Sequence, residues 1–308
     1  MRALWQVRPS YYSRTLWALL LTLDLLPWPW GEDILARLFV ARAFLRTTRL
    51  RQALRWAACQ PRPRWRLALA LCAYQGRLVA QASMLGRRGP DELRRFVLVR
   101  GGEHLPAPGR PTIVLGFHLG AKGSDVALKL AGHSFIRLGG PRVSRSWLNE
   151  AWRRFQSTGQ IVVPIDDTKF LSSALYEARR RLLDGGTLFT LGDGHGRPAF
   201  QLDLPGGPLP IRSGWLALRR HTGAIVLPVL SHMEGRLQVV TVHPPLPPVD
   251  SDSARDLQAC RAALGQLMQE YVRRFPEQCP SLVYWHPDPG VPSGEPTTQA
   301  LRSDERAV

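Results

Sequence analysis

Apolar and polar residues follow two different periods along the middle of the chain, and the two periods alternate. Short aliphatic and β-branched runs, bounded by glycine, proline or charged residues, predict strands. The segments between them carry apolar residues every three to four positions, which predicts amphipathic helices. The predicted strands are 96–100, 112–117, 161–165, 187–191, 224–230 and 237–243. The predicted helices are 125–131, 147–156, 172–183, 214–220 and 254–274.

Strands that alternate with helices of this length predict an α/β fold, in which a mostly parallel central sheet is flanked by helices. With 44% hydrophobic residues among 308, the chain can bury a substantial core of this kind. We assign residues 91–286 to this α/β domain and residues 1–90 to an N-terminal, membrane-associated helical region. Residues 287–308 are rich in proline, glycine and polar residues, which predicts a disordered tail.

The N-terminal region opens with an apolar segment that is too short to cross a membrane. Residues 16–30 read LWALLLTLDLLPWPW, with arginines upstream and Asp24 inside the run. The run has about 11 residues before Pro27, against roughly 20 needed to span a bilayer. Its tryptophans suit a water–lipid interface, so the segment is either an interfacial anchor or a helix packed on the core.

Residues 34–85 carry apolar residues at helical spacing, interspersed with many arginines. Pro61 and Pro63 divide this amphipathic region into at least two helices. The arginines predict either a solvated helix face or, beside an apolar anchor, a surface that rests on anionic lipid headgroups.

The overall charge indicates an anionic partner. The chain has 41 Lys+Arg against 24 Asp+Glu, a net charge of +17, which suits nucleic acid, an anionic membrane or an acidic protein. The sequence carries no recognisable nucleic-acid motif, and its aromatic residues do not interleave with the basic ones as a stacking platform requires. The sequence therefore favours a membrane or a protein partner over nucleic acid.

No metal or nucleotide cofactor is indicated by the sequence. The four cysteines (Cys59, Cys72, Cys260 and Cys279) have no CxxC spacing, and the eight histidines have no paired ligand spacing. The glycine-rich segment 192–196 does not match a phosphate-binding loop. Without a disulfide framework, the expected setting is the reducing cytoplasm.

The strongest candidate for chemistry is His118, at the end of the apolar run 111–117. It is followed by Gly120, Gly123 and a helix-forming segment, so it lies where a buried strand gives way to a helix. In an open α/β sheet ligands bind at this edge, and an imidazole there can take a proton near neutral pH. The alternative is a buried histidine satisfied by backbone groups. A second segment that fits the same edge, GDGHGRP at 192–198, favours the chemical interpretation.

Several motifs, in order along residues 96–285, resemble a known family. The motifs are FHLG at 117–120, WRRF at 152–155, LLDGG at 182–186, LFTLGD at 188–193, WLAL at 215–218, TGAIVLPV at 222–229 and YVRRFPEQ at 271–278. Together they resemble the bacterial lipid A biosynthesis acyltransferases, the lauroyl/myristoyl-transferring branch of the lysophospholipid acyltransferase superfamily. The resemblance implies a glycerolipid acyltransferase-like fold for residues 91–286.

The resemblance also implies an activity and roles for individual residues. A fatty acyl chain would pass from acyl-carrier protein or acyl-CoA to a hydroxyl of a lipid A-like, lysophospholipid or glycolipid acceptor, with His118 as the general base. Arg154 would stabilise oxyanion charge or bind a phosphate, with Arg153 as an equal contender. The further candidates for substrate binding are Asp193, Arg197 and Lys122.

The chain departs from the family at the catalytic acid. The family has Asp or Glu five positions after the histidine, where this chain has Gly123, and the first acid after His118 is Asp125. Asp125 would orient the imidazole if the intervening glycines form a loop, or would cap the following helix together with Ser124. His195 is a second departure and a candidate substitute base.

Three functions follow from the sequence. The first is a membrane-associated acyltransferase on the cytoplasmic face of the bacterial inner membrane, bound peripherally or anchored through its N-terminus. The second is a catalytically inactive relative that binds lipid or a partner enzyme, which the altered spacing between histidine and acid keeps open. The third, suggested by charge alone, is a nucleic-acid-binding protein.

Overall fold

The computed structural model describes residues 28–45, 47–87, 90–139, 160–162, 168–193 and 198–284. The predicted apolar segment at 16–30 falls outside these residues except for its last three positions. The predicted helix at 147–156 and the predicted tail at 287–308 also lie outside them.

Helices occupy the N-terminal part of the described chain, as the apolar spacing predicts. They are α1 (Trp28–Leu45), α2 (Thr47–Ala58), α3 (Arg64–Arg87) and the short α4 (Pro90–Arg94). The predicted break at Pro61 and Pro63 is confirmed, since both prolines lie in the turn between α2 and α3. Among the described residues, no helix combines the length and the apolar character that a membrane crossing needs.

The described strands are β1 (Val97–Arg100), β2 (Thr112–Gly116), β3 (Ile136–Gly139), β4 (Gln160–Val162), β5 (Thr187–Leu191), β6 (Pro198–Leu204), β7 (Gly207–Arg212), β8 (Ile225–Glu234) and β9 (Leu237–Val242). Seven of them form the central sheet, in the order β1-β9-β8-β2-β5-β3-β4. Neighbouring strands run parallel except for β8 and β9, which form an antiparallel pair, so the predicted mostly parallel sheet is confirmed. Strands β6 and β7 form a separate antiparallel hairpin.

Helices cover both faces of the sheet. The remaining helices are α5 (Ser124–Leu130), α6 (Thr168–Leu183), α7 (Gly214–Thr222), α8 (Ser253–Arg274) and α9 (Pro280–Tyr284). Successive residues of a strand point to opposite faces. Ile113 and Leu115 of β2 therefore join the core formed with α2, α3 and α6 to α9, whereas Val114 joins the core formed with α4 and α5.

Apolar residues of the N-terminal helices belong to the same core as the sheet. Ala53 and Trp56 of α2 and Leu71 of α3 are buried in the cluster that contains Ile113. The indole N–H of Trp56 also donates to the carbonyl of Pro276 at 3.1 Å, which ties α2 to the turn that follows α8. The N-terminal helices and the sheet are thus one packed structure.

Candidate active site

The register of two parallel strands brings His118 beside Asp193. Strand β2 pairs with β5 from Thr112 opposite Thr187 to Gly116 opposite Leu191. The ladder continues past the strand ends, because the amide of Gly192 donates to the carbonyl of Gly116 at 2.8 Å. His118 comes two residues after Gly116, and Asp193 comes two residues after its partner Leu191, so the two lie level with each other. Both therefore lie at the carboxyl edge of the sheet, where open α/β folds bind ligands.

The two side chains make a direct hydrogen bond. The Nδ1 atom of His118 lies 3.0 Å from Oδ1 of Asp193. The backbone N–H of His118 donates to the same carboxylate, at 2.9 Å to Oδ2 and 3.1 Å to Oδ1. The Asp193 side chain is only 3% exposed, whereas that of His118 is 32% exposed. The carboxylate is thus enclosed, and the imidazole reaches the edge of the protein.

Asp193 carries its negative charge in this setting. Burial raises the pKa of the Asp193 carboxyl, but the nearby His118 ring and the hydrogen bonds from His118 outweigh it, so the net pKa lies below the ordinary value. A charged carboxylate at Nδ1 holds the proton on that nitrogen and fixes the ring orientation. Proton exchange with a substrate is then left to Nε2.

Asp125 is not the residue that orients the imidazole of His118, although the sequence analysis expected this role for it. Its Oδ2 lies 3.2 Å from Nη1 of Arg137, and both side chains are mostly buried. The helix α5 begins at Ser124 with Gly123 as its N-cap and no side-chain capping bond, so the capping interpretation is wrong as well. The acid at Nδ1 of His118 is Asp193 from the neighbouring strand, and Asp125 forms a buried ion pair with β3 instead.

Lys122 follows His118 on the same loop and is partly buried. Burial lowers the pKa of its ammonium group. Its backbone carbonyl accepts a hydrogen bond from Nε2 of Gln238 at 2.9 Å. The role of the Lys122 side chain in substrate binding stays a prediction.

The other predicted site residues fall outside the described part of the chain. Arg154, with its neighbour Arg153, precedes β4 along the chain, in the interval between residues 139 and 160. Arg197 and His195 lie between Asp193 and the start of β6. Their roles also stay predictions.

Arg212 is a further candidate site residue that the sequence analysis missed. It ends β7, and its backbone N–H donates to the carbonyl of Gly192 at 2.8 Å. Burial lowers the pKa of its guanidinium, while the charge of Asp193 acts in the opposite direction. A guanidinium therefore lies within electrostatic reach of the dyad of His118 and Asp193. The sequence signal that could have revealed Arg212 is its position directly before Ser213 and Gly214, where the predicted helix at 214–220 starts.

The described residues offer no metal centre. They contain no group of three or more His, Cys, Asp or Glu side chains placed to hold an ion. The four cysteines are free thiols, and only Cys59 is exposed. What the described part of the site can do chemically is accept a proton at His118 and stabilise the resulting imidazolium at Asp193.

The chain is similar to known proteins in its fold and not in its sequence motifs as a whole. No protein-family model matches the chain, and no curated protein matches it in sequence. The chain is similar to the crystal structure of the 1-acyl-sn-glycerophosphate (LPA) acyltransferase PlsC from Thermotoga maritima, with 19% sequence identity and a TM-score of 0.42. The match covers 78% of this chain and 95% of that one. The case for a function therefore rests on the residues at the sheet edge.

Proposed function

We propose that this protein is an acyltransferase that moves a fatty acyl chain from a thioester donor to a hydroxyl of a lipid acceptor. The observation that carries the proposal is the dyad of His118 and Asp193 at the carboxyl edge of the sheet. An enclosed carboxylate that orients a partly exposed imidazole suits the deprotonation of a hydroxyl nucleophile. The donor is acyl-carrier protein or acyl-CoA, and the acceptor is a lipid A-like, lysophospholipid or glycolipid molecule.

The dyad alone accounts for both proton transfers of the proposed reaction. Nε2 of His118 takes the proton of the acceptor hydroxyl while the oxygen attacks the thioester carbonyl. The tetrahedral intermediate then collapses, the carbon–sulfur bond breaks, and the imidazolium returns the proton to the leaving thiolate. Asp193 stays ionised throughout and stabilises the imidazolium by charge, which is why its lowered pKa matters.

Two cationic residues close to the dyad along the chain or across the sheet fit the anionic groups of such substrates. Arg212 is bonded through its backbone to Gly192, the residue before Asp193, and Lys122 is on the loop that begins at His118. We propose that these two, with Arg154 and Arg197, bind acceptor phosphate or stabilise the oxyanion of the intermediate.

The alternative of an inactive, lipid-binding relative rested on the missing acid at Gly123. Asp193 provides a carboxylate to the histidine from the adjacent strand, at a distance of 3.0 Å. A dyad that is complete by another route supports the active form of the protein.

Exposed apolar side chains on the N-terminal helices support a membrane partner. The exposed apolar side chains there include Trp30, Leu38, Phe44, Leu45 and Trp65. Arginine is the only charged residue type between Asp33 and Asp91. Apolar side chains among positive charges suit a surface that rests on anionic lipid, and we propose peripheral or N-terminally anchored binding to the cytoplasmic face of the bacterial inner membrane.

We expect the double variant Trp30→Ser/Trp65→Ser to bind anionic vesicles about tenfold more weakly than the wild type. Full burial of a large apolar side chain contributes about 1.5–3 kcal/mol, but these two tryptophans are already partly buried and enter the lipid interface only in part. A loss of about 0.7 kcal/mol for each, about 1.4 kcal/mol together, corresponds to about tenfold. Cosedimentation with phosphatidylglycerol vesicles at several salt concentrations measures the effect. The matched control is Tyr176→Ser, since Tyr176 is equally exposed but lies on α6. Equal loss in the control, or tighter binding of RNA than of vesicles by the wild type, contradicts the assignment.

The proposed activity is tested by acyl transfer in membranes that contain the wild type or His118→Ala. Both classes of thioester donor are supplied with a lipid extract as acceptor, and the products are read by mass spectrometry. We expect a new acylated lipid with the wild type that is absent with His118→Ala. A folded, membrane-bound wild type that yields no His118-dependent product with either donor contradicts the proposal.

A further inference from the structure

The segment that carries the proposed base is fastened to the rest of the protein by backbone groups. We call residues 118–123, which join β2 to α5, the His118 loop. The amide of Gly120 donates to the carbonyl of Gln278 at 2.9 Å, and the amide of Ala121 donates to the carbonyl of Ser231 at 3.0 Å. The hydroxyl of Ser231 donates in turn to the carbonyl of Ala121 at 2.5 Å. The loop is therefore fixed along one side by β8 and by the turn after α8.

A further bond comes from a glutamine at a position where the sheet is otherwise apolar. Gln238 is 2% exposed on β9, and the next residues of this strand on the same face are Val240 and Val242. Its Nε2 donates to the carbonyl of Lys122 at 2.9 Å. A buried amide side chain lowers stability unless its polar atoms are hydrogen-bonded, and both the nitrogen and the oxygen of the Gln238 amide have a partner.

The bond to the His118 loop continues into an N-terminal helix. Gln81 is 2% exposed on α3, and its Nε2 donates to Oε1 of Gln238 at 3.0 Å. A carbonyl can only accept, so Lys122 requires the nitrogen of Gln238, which turns the oxygen of Gln238 towards Gln81. The carbonyl of Lys122 thus sets the direction of both hydrogen bonds: Gln238 donates to Lys122, and Gln81 donates to Gln238.

We propose that Gln238 and Gln81 are positioning residues that hold the His118 loop in its working geometry and join it to the N-terminal helices. The inference rests on the proposed function, since it gives the loop a catalytic base to position. Neither glutamine contacts the substrate in this arrangement. They fix the backbone at Lys122, four residues after His118. The bond between His118 and Asp193 fixes the other end of the loop.

Three identical substitutions at three buried glutamines test the inference. Gln238→Leu leaves the carbonyl of Lys122 without its donor, whereas Gln81→Leu keeps the bond from Gln238 to Lys122 and removes only the donor to Oε1 of Gln238. Gln60→Leu is the matched control, because Gln60 is buried in the turn after α2 and its side-chain amide makes no hydrogen bond to the described residues. Each full-length variant is first checked for thermal unfolding.

We expect Gln238→Leu to lower kcat for acyl transfer by about 10- to 100-fold with KM changed by less than about twofold, since small displacements of a catalytic group have effects of this size. Gln81→Leu should lower kcat less, by about three- to tenfold, and Gln60→Leu should not lower it. Hydrogen exchange in the peptide that covers residues 118–123 should be faster in the first two variants and unchanged in the third.

The exchange measurement separates this inference from the proposed function. Faster exchange confined to the His118 loop, with a fall in kcat, supports positioning by the two glutamines. Unchanged exchange in Gln238→Leu, or faster exchange with full kcat, overturns it. A wild type without acyl transfer overturns the proposed function, and the exchange result then decides alone whether the glutamines hold the loop.

Discussion

Asp193→Asn is expected to lower the rate of acyl transfer by about 10²- to 10⁴-fold, the range that general acid–base catalysis supplies. The reason lies in the three contacts between the carboxylate and His118. Oδ1 faces both the backbone N–H and Nδ1 of the histidine, and Oδ2 faces the backbone N–H alone. An asparagine has one oxygen and one nitrogen for these two positions, so it cannot reproduce them.

Either orientation of the new amide is unfavourable for catalysis. If the oxygen keeps the position of Oδ1, the amide nitrogen opposes the backbone N–H of His118, donor against donor. If the amide turns over, its nitrogen donates to Nδ1 of His118 and forces the ring proton onto Nε2. That tautomer cannot accept a proton from the acceptor hydroxyl. In both cases the negative charge that stabilises the imidazolium is lost.

The measurement is kcat/KM with a thioester donor, for Asp193→Asn beside His118→Ala and Asp125→Asn. His118→Ala should lose at least as much activity as Asp193→Asn. Asp125→Asn should keep the rate and unfold at a lower temperature, because Arg137 then loses its mostly buried partner. A large loss of rate in Asp125→Asn, with Asp193→Asn still active, contradicts the assignment of Asp193 as the orienting residue.

The role of Asp193 depends on strand register, which single strands do not reveal. The sequence predicted both strands and placed His118 and Asp193 at the same edge, but it assigned the orienting role to the acid nearest along the chain. The sequence does contain a trace of this register, because His118 follows Thr112 at the same distance along the chain as Asp193 follows Thr187. Recognising it requires knowing that these two strands are neighbours, since the strand order is set by packing.

The hairpin of β6 and β7 shows a different limit of sequence reasoning. Its strands contain Pro198, Pro208 and Pro210 and almost no β-branched residues, so propensity argues against strands there. Alternate residues of β6 are nevertheless buried, and β6 packs against α8. Tertiary packing outweighs local propensity in this segment, and Arg212, at the end of the hairpin, was missed for the same reason.

The His118 loop depends on a glycine at position 120. Gly120 has a φ of +70°, and a Cβ there would overlap the carbonyl oxygen of Ser231 and the hydroxyl of Tyr271. That hydroxyl donates to the same carbonyl at 2.8 Å, so both neighbours are held in the core. A side chain at position 120 therefore meets a positive φ and a barrier that cannot move away.

Gly120→Ala is expected to lower the free energy of unfolding by about 3 kcal/mol and to abolish most acyl transfer. A positive φ in a residue other than glycine costs about 1–2 kcal/mol, and displacement of the loop breaks the bonds to Gln278 and Ser231, at about 1 kcal/mol each. Gly223→Ala is the matched control, since Gly223 has a φ of +65° but open space around its Cβ position.

Urea unfolding of both variants separates the two contributions. The control carries only the cost of the backbone angle, about 1–2 kcal/mol, so the additional loss in Gly120→Ala measures the close approach of the His118 loop to β8. Equal losses in the two variants contradict that close approach. If Gly120→Ala is folded at the assay temperature but inactive, while Gly223→Ala is folded and active, the loss of acyl transfer follows from displacement of His118 from Asp193 rather than from unfolding.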